Sequence, residues 1–226
     1  MATQKEILIR VIENMSKKLI AAENELTELD SIGDADCGSG VRRGFEAVSG
    51  VMEEFGSLEV GDILKKVGFT LAYTIGGTSG AMLGTGFIET GKSIGEKTDP
   101  SASDWANAVQ SALNVIKRRG GNTSVGDKTL VDSLEPAVFT MKAILEASQP
   151  PESGTGEGST DNAAMLQLIE GAFMAAKEGS DRTIDMIAKK GRASYVGQRS
   201  KGNRDPGSLI IVIMFEAALE VLRSGK

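Results

Sequence analysis

Three aspartates, Asp30, Asp34 and Asp36, lie within seven residues of one another in the segment from Leu29 to Gly40. Carboxylates at this spacing repel one another unless a cation lies between them, and a site made only of oxygen ligands suits Mg²⁺ or Ca²⁺. The segment is not an EF-hand, because the carboxylate spacing and the bidentate glutamate of that loop are absent. The alternative interpretation is that these aspartates cap a helix and form turns in water.

Two glycine-rich segments have the residues needed to hold phosphate. Cys37-Gly38-Ser39-Gly40 enters one predicted helix, and the segment 75–80 (IGGTSG) opens another. Backbone amides at a helix N-terminus, together with hydroxyl groups, bind phosphate oxygens. Taken alone, the glycine clusters of this chain are typical of turns and helix C-caps. A metal site and phosphate sites at neighbouring ends of a bundle would together hold a magnesium nucleotide.

The segment from Gly86 to Ser93 (GFIETGKS) matches the P-loop pattern G-x-x-x-x-G-K-[ST]. That motif works only between a strand and a helix whose N-terminus faces the phosphates. The residues before Gly86 are no strand candidate, and the residues after Ser93 are typical of the end of a helix. Phe87 and Ile88 indicate the buried face of a helix that has already begun. We therefore interpret the match as coincidence and expect Lys92→Ala to change nucleotide binding little.

The composition excludes several kinds of chemistry. The 226 residues include 28 glycines and one cysteine, Cys37, but no histidine, and 25 basic against 31 acidic residues give a net charge of −6. Without histidine the chain cannot by itself build a Ser-His-Asp triad, a Cys-His pair or a histidine-ligated zinc site. One cysteine excludes an internal disulfide and a thiolate zinc cluster. The acidic balance argues against nucleic acid as a partner, because phosphate backbones need clustered Lys and Arg.

The chain shows no pattern typical of a targeting or membrane-spanning segment. Its first twenty residues interleave charges with Ile and Leu, whereas a signal peptide has an uninterrupted apolar block. The longest apolar run, Leu209 to Phe215, has seven residues, and a membrane span needs roughly 20. Together with the single thiol, this predicts a cytoplasmic protein without a membrane partner.

Apolar residues recur at helical spacing along most of the chain. The pattern predicts about eight helical segments, at roughly 4–25, 45–55, 60–73, 81–94, 105–119, 129–148, 163–189 and 209–222. Residues 209–213 could alternatively be a buried strand, but the continuing pattern and the capping residues before them favour a helix. Alternating strand patterns are otherwise scarce, which predicts an all-α bundle of antiparallel helices joined by glycine-rich turns.

One segment is predicted to be a mobile linker. Residues 150–161 (PPESGTGEGSTD) contain no apolar residue and join two helices. The helices on either side each have an apolar face that needs a partner. We therefore expect residues 1–226 to form a single domain.

Four segments follow one another in a fixed order: 29–38 (LDSIGDADCG), 76–80 (GGTSG), 126–137 (GDKTLVDSLEPA) and 191–207 (GRASYVGQRSKGNRDPG). In this order they resemble the nucleotide-binding L subunit, DhaL, of dihydroxyacetone kinases. The resemblance spans nearly the whole chain, and its last segment is far longer than the P-loop match. It implies an eight-helix antiparallel up-and-down barrel or bundle with the nucleotide site at one end, which agrees with the helix count.

The resemblance implies a role for each matching residue. Asp30, Asp34 and Asp36 would hold two magnesium ions that bridge the nucleotide phosphates. The residues around ATP or ADP would be Cys37, Gly38, Ser39, Gly40, Thr78 and Ser79 at the phosphates, Gly121 and Leu130 at the base and sugar, and Arg192, Asp205, Pro206 and Gly207 closing the pocket. Arg192 would also stabilise charge as the catalytic residue. The alternatives are a surface arginine at that position and, for Asp127 with Lys128, a charged pair that starts a helix.

The resemblance also implies a division of labour between chains. The ketose would be held through a histidine on a separate K subunit, which fits the absence of histidine here. This chain would be a kinase subunit that transfers a phosphoryl group from ATP to dihydroxyacetone or a related short ketose, by positioning and charge neutralisation. We expect a homodimer or a hetero-oligomer. Two alternatives stay open: ADP held tightly and rephosphorylated by a phosphotransferase-system protein, or a regulatory module that docks on a transcription factor.

Three positions depart from the family pattern. Three residues separate Asp30 from Asp34 where relatives have four, so a register shift could leave Asp30 outside the metal site. Cys37 stands where the subunits phosphorylated by a phosphotransferase-system protein have histidine, which favours exchangeable ATP as the donor. Asn203 stands where many relatives have histidine.

Overall fold

The computed structural model describes residues 2–148 and 161–225. Within these ranges every regular element is helical and no strand occurs, which confirms the prediction of an all-α fold. Residues 150–160 of the predicted linker lie outside the described residues, and its last residue, Asp161, begins a helix. In this described part, no helix is both long enough and apolar enough to cross a membrane.

The described residues form nine α-helices and four 3-10 helices. The α-helices are α1 (Gln4–Ala21), α2 (Glu23–Leu29), α3 (Cys37–Gly50), α4 (Val60–Thr74), α5 (Gly77–Ile94), α6 (Ala102–Arg119), α7 (Val131–Ala147), α8 (Asp161–Arg182) and α9 (Pro206–Ser224). The 3-10 helices are Asp30–Ile32, Met52–Ser57, Thr183–Asp185 and Arg192–Ser200.

Capping residues set where some of these helices begin. Ser101 and Asp104 form a capping box that starts α6 three residues earlier than the predicted 105. Asp205 caps α9, and Pro206 occupies its first turn. This start sets helical geometry for the residues that follow, so 209–213 form a helix and not a strand.

Three predicted helices are wrong in extent. The helix predicted at 45–55 begins at Cys37 and ends at Gly50. The first predicted helix is broken at Ala22, whose ψ of 3° turns the chain between α1 and α2. The helix predicted to reach Lys189 ends at Arg182. The chain continues in the 3-10 turn Thr183–Asp185, where the Thr183 carbonyl accepts the Met186 amide at 3.1 Å and Lys128 Nζ at 2.9 Å. A side chain from a distant loop therefore contacts the backbone just beyond the end of this helix.

Glycines inside helices let α4 and α5 approach closely. A Cβ atom at Gly61 would lie 2.3 Å from the carbonyl oxygen of Gly95, and one at Gly84 would lie 2.6 Å from that of Gly68. Larger residues cannot occupy these positions unless the helices separate. The interpretation of glycines as turn residues is therefore incomplete, because several of them form a helix–helix contact.

Neighbouring helices run antiparallel. Ser180, near the end of α8, shares a hydrogen bond of 2.8 Å with Ser208 at the start of α9. Lys18, near the end of α1, donates to Glu216 in the second half of α9 at 2.9 Å. Packing follows the order α1, α3, α4, α5, α6, α7, α8 and α9 and returns to α1, around one cluster of buried apolar residues. The starts of α3, α5, α7 and α9 therefore share one end of the bundle.

Candidate functional site

Close contacts join these four helix starts in two pairs, α3 with α5 and α7 with α9. A Cβ atom on Gly40, in the first turn of α3, would lie 3.3 Å from the Ile75 carbonyl oxygen just before α5. Arg43 donates to the same oxygen at 2.9 Å. A Cβ atom on Gly207, in the first turn of α9, would lie 3.3 Å from Leu130 Cβ at the start of α7. First-turn amides lack intrahelical acceptors, so this end of the bundle favours anions.

The three aspartates singled out in the sequence lie together at this end. One carboxylate oxygen each from Asp30, Asp34 and Asp36 lies within 4.8 Å of the other two. Ala35, with φ of +57°, turns the chain between them. Asp30 Oδ2 also accepts the amides of Asp36 and Cys37, each at 3.1 Å. The short spacing between Asp30 and Asp34 therefore does not remove Asp30 from the cluster.

The chemistry and spacing of the cluster fit a divalent cation. Burial raises the pKa of Asp30 above its usual 3.8, the Cys37 amide lowers it, and the charges of Asp34 and Asp36 raise it again. A bound cation would relieve this repulsion. Carboxylate oxygens within 4.8 Å of one another are close enough to hold a divalent cation among them once the side chains adjust.

Arg192 reaches the aspartates from a distant part of the chain. It begins the 3-10 helix Arg192–Ser200, and its Nε forms an ion pair with Asp34 Oδ2 at 2.9 Å. A Cβ atom on Gly33 would lie 3.2 Å from Arg192 Cβ, so the two backbones are close. The Arg192 side chain is 66% exposed, and an exposed ion pair contributes at most about 1 kcal/mol. The guanidinium group can therefore leave Asp34 for an incoming anion.

Cys37 begins α3 and is buried against the acidic cluster. Burial, and next the negative charge of Asp30, raise the pKa of its thiol to about 12. The thiol therefore stays protonated at neutral pH and is no nucleophile. The following residue, Gly38, fixes α3 against α2, since a Cβ atom there would lie 2.1 Å from the Glu23 carbonyl oxygen.

Asp205 caps the start of α9 and joins it to Thr183, the residue that follows α8. Its Oδ2 accepts the Ser208 amide at 2.6 Å, and its own amide donates to Thr183 Oγ1 at 2.9 Å. Burial raises the pKa of its carboxyl to about 7, against the lowering effect of the Ser208 amide, and Asp132 raises it further while Lys128 lowers it. Asp205 is thus near its midpoint of protonation at neutral pH.

The remaining predicted residues lie at the same end of the bundle. Thr78 and Ser79 form the exposed first turn of α5, and Ile75 joins that turn to α3. Ser39 Oγ, in the first turn of α3, donates to the Asp36 carbonyl at 3.1 Å. Gly121 follows α6 in the left-handed region, with φ of +70°. The structure therefore collects the predicted residues at one end without placing them all in contact.

Sequence reasoning missed a buried lysine at this end. Lys128 is 3% exposed, and its Nζ donates to the carbonyl oxygens of Thr183, Met186, Ser200 and Asn203 over 2.5 to 3.3 Å. The interpretation of Lys128 as half of a charged pair at a helix start is therefore wrong. A lysine within a glycine-rich loop was its only local signal.

Asp127, which was predicted to pair with Lys128, and the nearby Asp132 organise the loop before α7. Asp127 Oδ2 accepts the Ser124 amide at 3.0 Å. The two Asp132 oxygens accept the amides of Gly126, at 2.6 Å, and Thr129, at 2.7 Å. Burial raises the pKa of Asp132, and the two amides lower it. These carboxylates hold the backbone of the loop before α7.

The P-loop match lies inside α5. Gly86 to Ser93 are helical, Phe87 is buried, and Lys92 lies 3.5 Å from Glu89 on the helix surface. The segment ends next to the C-terminus of α5, and no strand precedes it. The interpretation as coincidence is confirmed by this geometry.

Comparison with known proteins identifies relatives of the chain. The DAK2 domain matches residues 31–220. The ADP-binding subunit DhaL of the PEP-dependent dihydroxyacetone kinase of Escherichia coli (strain K12) is 32% identical over 200 residues, with 88% of each chain covered. The ADP-binding subunit DhaL of the PTS-dependent dihydroxyacetone kinase of Lactococcus lactis is 32% identical over 215 residues, with 95% of this chain and 96% of the relative covered.

Longer relatives contain the same unit. A probable dihydroxyacetone kinase of Dictyostelium discoideum is 30% identical over 96% of this chain, which spans 33% of that protein. The crystal structure of the dihydroxyacetone kinase of C. freundii matches with a TM-score of 0.69 at 22% identity, over 94% of this chain and 34% of that one. The structural match shows a shared fold. Since the domain match covers most of the sequence, the chain belongs to the DAK2 domain family, together with the DhaL subunits of dihydroxyacetone kinases.

Proposed function

We propose that this chain is the nucleotide-holding subunit of a cytoplasmic kinase that phosphorylates dihydroxyacetone or a related short ketose. The observation that carries the proposal is the meeting of three carboxylates, an exposed arginine and the starts of four helices at one end of the bundle. Two relatives that match along nearly their whole length are named ADP-binding subunits of dihydroxyacetone kinases. The reaction class is phosphoryl transfer to an alcohol group.

The aspartates are the proposed magnesium ligands. Asp30, Asp34 and Asp36 would hold two ions, which when bound supply positive charge against the nucleotide phosphates. In this arrangement Asp30 would be a metal ligand and would also hold the backbone of the cluster. Its Oδ2 holds the amides of Asp36 and Cys37, so the cluster is preorganised before any cation arrives.

Backbone and hydroxyl groups are the proposed phosphate ligands. Phosphate oxygens would be bound by the first-turn amides of Gly38 and Ser39, which have no carbonyl acceptor within the helix. The hydroxyl groups of Thr78 and Ser79 would also donate to them. The base and sugar would lie near Gly121 and Leu130, with Asp205, Pro206 and Gly207 closing the pocket.

Arg192 is the proposed catalytic residue. In the free protein its guanidinium group is held by Asp34. When a nucleotide is bound, the phosphoryl group in transfer would present more negative charge than Asp34 does, and the exposed guanidinium would turn toward it. A planar, permanently charged donor stabilises the charge of that transition state.

The ketose is proposed to lie on a partner subunit. This chain has no histidine, so a ketose tethered through imidazole must come from another chain that docks at this end. The bond between the γ-phosphorus of ATP and the oxygen that bridges it to the β-phosphate would break, leaving ADP. The phosphoryl group would bond to a ketose hydroxyl oxygen, which loses its proton to solvent or the partner.

Two phosphoryl donors can be told apart. The relatives named as PEP- or PTS-dependent favour ADP that stays bound and is rephosphorylated by a phosphotransferase-system protein. The second candidate is exchange with free ATP, favoured by Cys37 because it stands where the subunits phosphorylated by a phosphotransferase-system protein have histidine. Purified chain that retains ADP through desalting and excess labelled ATP supports the first donor. Rapid label exchange supports the second.

Replacement of the aspartates tests the site. Asp34→Asn and Asp36→Asn are compared with Asp62→Asn, an exposed aspartate in the first turn of α4, at the opposite end of the bundle. Ketose phosphorylation with the cognate ketose-binding subunit should fall at least 100-fold in the first two and stay within threefold in the third. Full activity in both site variants would contradict the site. A wild-type chain that binds Mg-ADP and a transcription regulator but supports no transfer would contradict the kinase proposal.

A further inference from the structure

The segment 183–203 crosses the candidate site, and both of its ends meet at one ammonium group. Lys128 Nζ donates to the carbonyls of Thr183 at 2.9 Å and Met186 at 3.3 Å, where the segment begins. It donates to the carbonyls of Ser200, at 2.6 Å, and Asn203, where the segment ends. An ammonium group has three protons. The four carbonyl oxygens share them, so no proton is left for another partner.

This ammonium group is held by carbonyl dipoles and not by a counter-ion. Lys128 is buried, and burial lowers its pKa, whereas the charges of Asp205, Asp132 and Asp185 raise it. In the described part of the chain none of these carboxylates forms an ion pair with it. If the ammonium were removed, the Thr183 carbonyl would keep only the Met186 amide, and the other three carbonyl oxygens would lose this donor. Unsatisfied buried acceptors are costly. The two ends of the segment would then separate.

The backbone at Lys128 is also held in an unfavourable conformation. Its φ of +62° lies in the left-handed region, which costs a residue with a side chain about 1 kcal/mol or more. The neighbouring bonds to Asp132 hold the loop on both sides of it. The Asp127 carbonyl, next in the chain, accepts the Lys189 amide at 3.1 Å. The loop before α7 is therefore built to present this side chain to the segment 183–203.

The closed segment carries the residue that reaches the acidic cluster. Arg192 lies near its middle, and its only ion pair in the described residues is with Asp34. Inside the loop, the Gly202 amide donates to the Ile184 carbonyl at 2.7 Å and the Ala188 amide donates to Ser200 Oγ at 2.9 Å. These bonds link the same two ends that Lys128 joins.

We infer that Lys128 is a positioning residue whose ammonium group closes the segment 183–203 and thereby places Arg192 at the acidic cluster. The consequence for nucleotide binding rests on the proposed function. The closure itself is a property of the nucleotide-free chain. The two are therefore tested separately.

Hydrogen exchange of the nucleotide-free chain tests the closure. Lys128→Met is compared with Lys201→Met, the same substitution at an exposed lysine in the same segment. In Lys128→Met, the amides of Ala188, Lys189 and Gly202 should exchange at least 100-fold faster, with those of α4 and α5 unchanged. Lys201→Met should match the wild type. Unchanged segment amides, or equal acceleration throughout the bundle, would overturn the inference.

A milder variant and a double-mutant cycle complete the test. Lys128→Gln keeps two N–H donors, so its exchange rates should lie between those of wild type and Lys128→Met, and it serves alone if the methionine variant does not fold. Mg-ADP affinity should fall at least 10-fold in Lys128→Met and no further when Arg192→Ala is added. Additive losses would overturn the inference. A wild-type chain that binds no ADP contradicts the proposed function and leaves the exchange test valid.

Discussion

Replacement of Asp205 by asparagine should make the metal-free, nucleotide-free protein more stable at alkaline pH. The Asp205 carboxyl has a pKa of about 7 because it is buried, near Asp132 and Asp30. Asparagine caps a helix about as well as aspartate, so its side-chain oxygen can still accept the Ser208 amide. The substitution therefore removes the charge and keeps the cap.

The size of the effect follows from the shift in pKa. The pKa of this carboxyl is 3.8 in its ordinary state and about 7 in the folded chain, so the folded protein binds the proton more tightly. The stabilisation is fully present below pH 4 and is lost as the pH rises through about 7. A shift of this size corresponds to about 4 kcal/mol of unfolding free energy as an upper value.

Urea unfolding at pH 4.5 and pH 8, with chelator present, measures this difference. Wild type and Asp205→Asn should lie within about 1 kcal/mol of each other at the lower pH, and the variant should be more stable by about 2 to 4 kcal/mol at the higher one. Asp104→Asn is the control, because its hydrogen bonds with Lys97 and Ser101 lower the pKa of Asp104 and give a dependence of opposite sign. A constant gap between wild type and Asp205→Asn across this range would refute the reasoning.

Two further substitutions test the packing and the motif. Gly38→Ala should lower the free energy of unfolding by about 1 to 3 kcal/mol, because its Cβ atom would lie 2.1 Å from the Glu23 carbonyl oxygen. Gly50→Ala, with open space around it, should show no loss in the same urea titration, and equal losses would contradict the close contact. Lys92→Ala should leave Mg-ADP affinity within twofold by calorimetry, because Lys92 lies on the surface of α5. Loss of binding would restore the P-loop interpretation.

Local patterns predicted much of the fold because they report local physics. Helical periodicity depends on residues three and four apart, so it located most of the helices and left a strand open only at 209–213. The same patterns failed at Ala22, where the chain turns between α1 and α2, and at Arg182, where a 3-10 turn contacted by Lys128 follows α8. The spacing of apolar residues along a helix carries no information about hydrogen bonds from a distant loop.

The candidate site divides in the same way. The three aspartates lie within seven residues, so composition and spacing alone predicted an oxygen-ligand cluster. The contact of Arg192 with Asp34 joins segments more than 150 residues apart, and the four acceptors of Lys128 come from another part of the chain. No spacing rule covers such pairs.

The sequence by itself therefore determined the helical class, the chemistry available without histidine and the local cluster of carboxylates. Only the tertiary structure decided which glycines lie where two helices touch. It also decided that burial raises the pKa of Asp205 and that the buried ammonium group of Lys128 bonds four carbonyl oxygens. The physical reason is that burial, pKa and the choice of hydrogen-bond partner depend on the groups that surround a side chain in space. In this bundle those groups come from helices and loops far apart along the chain.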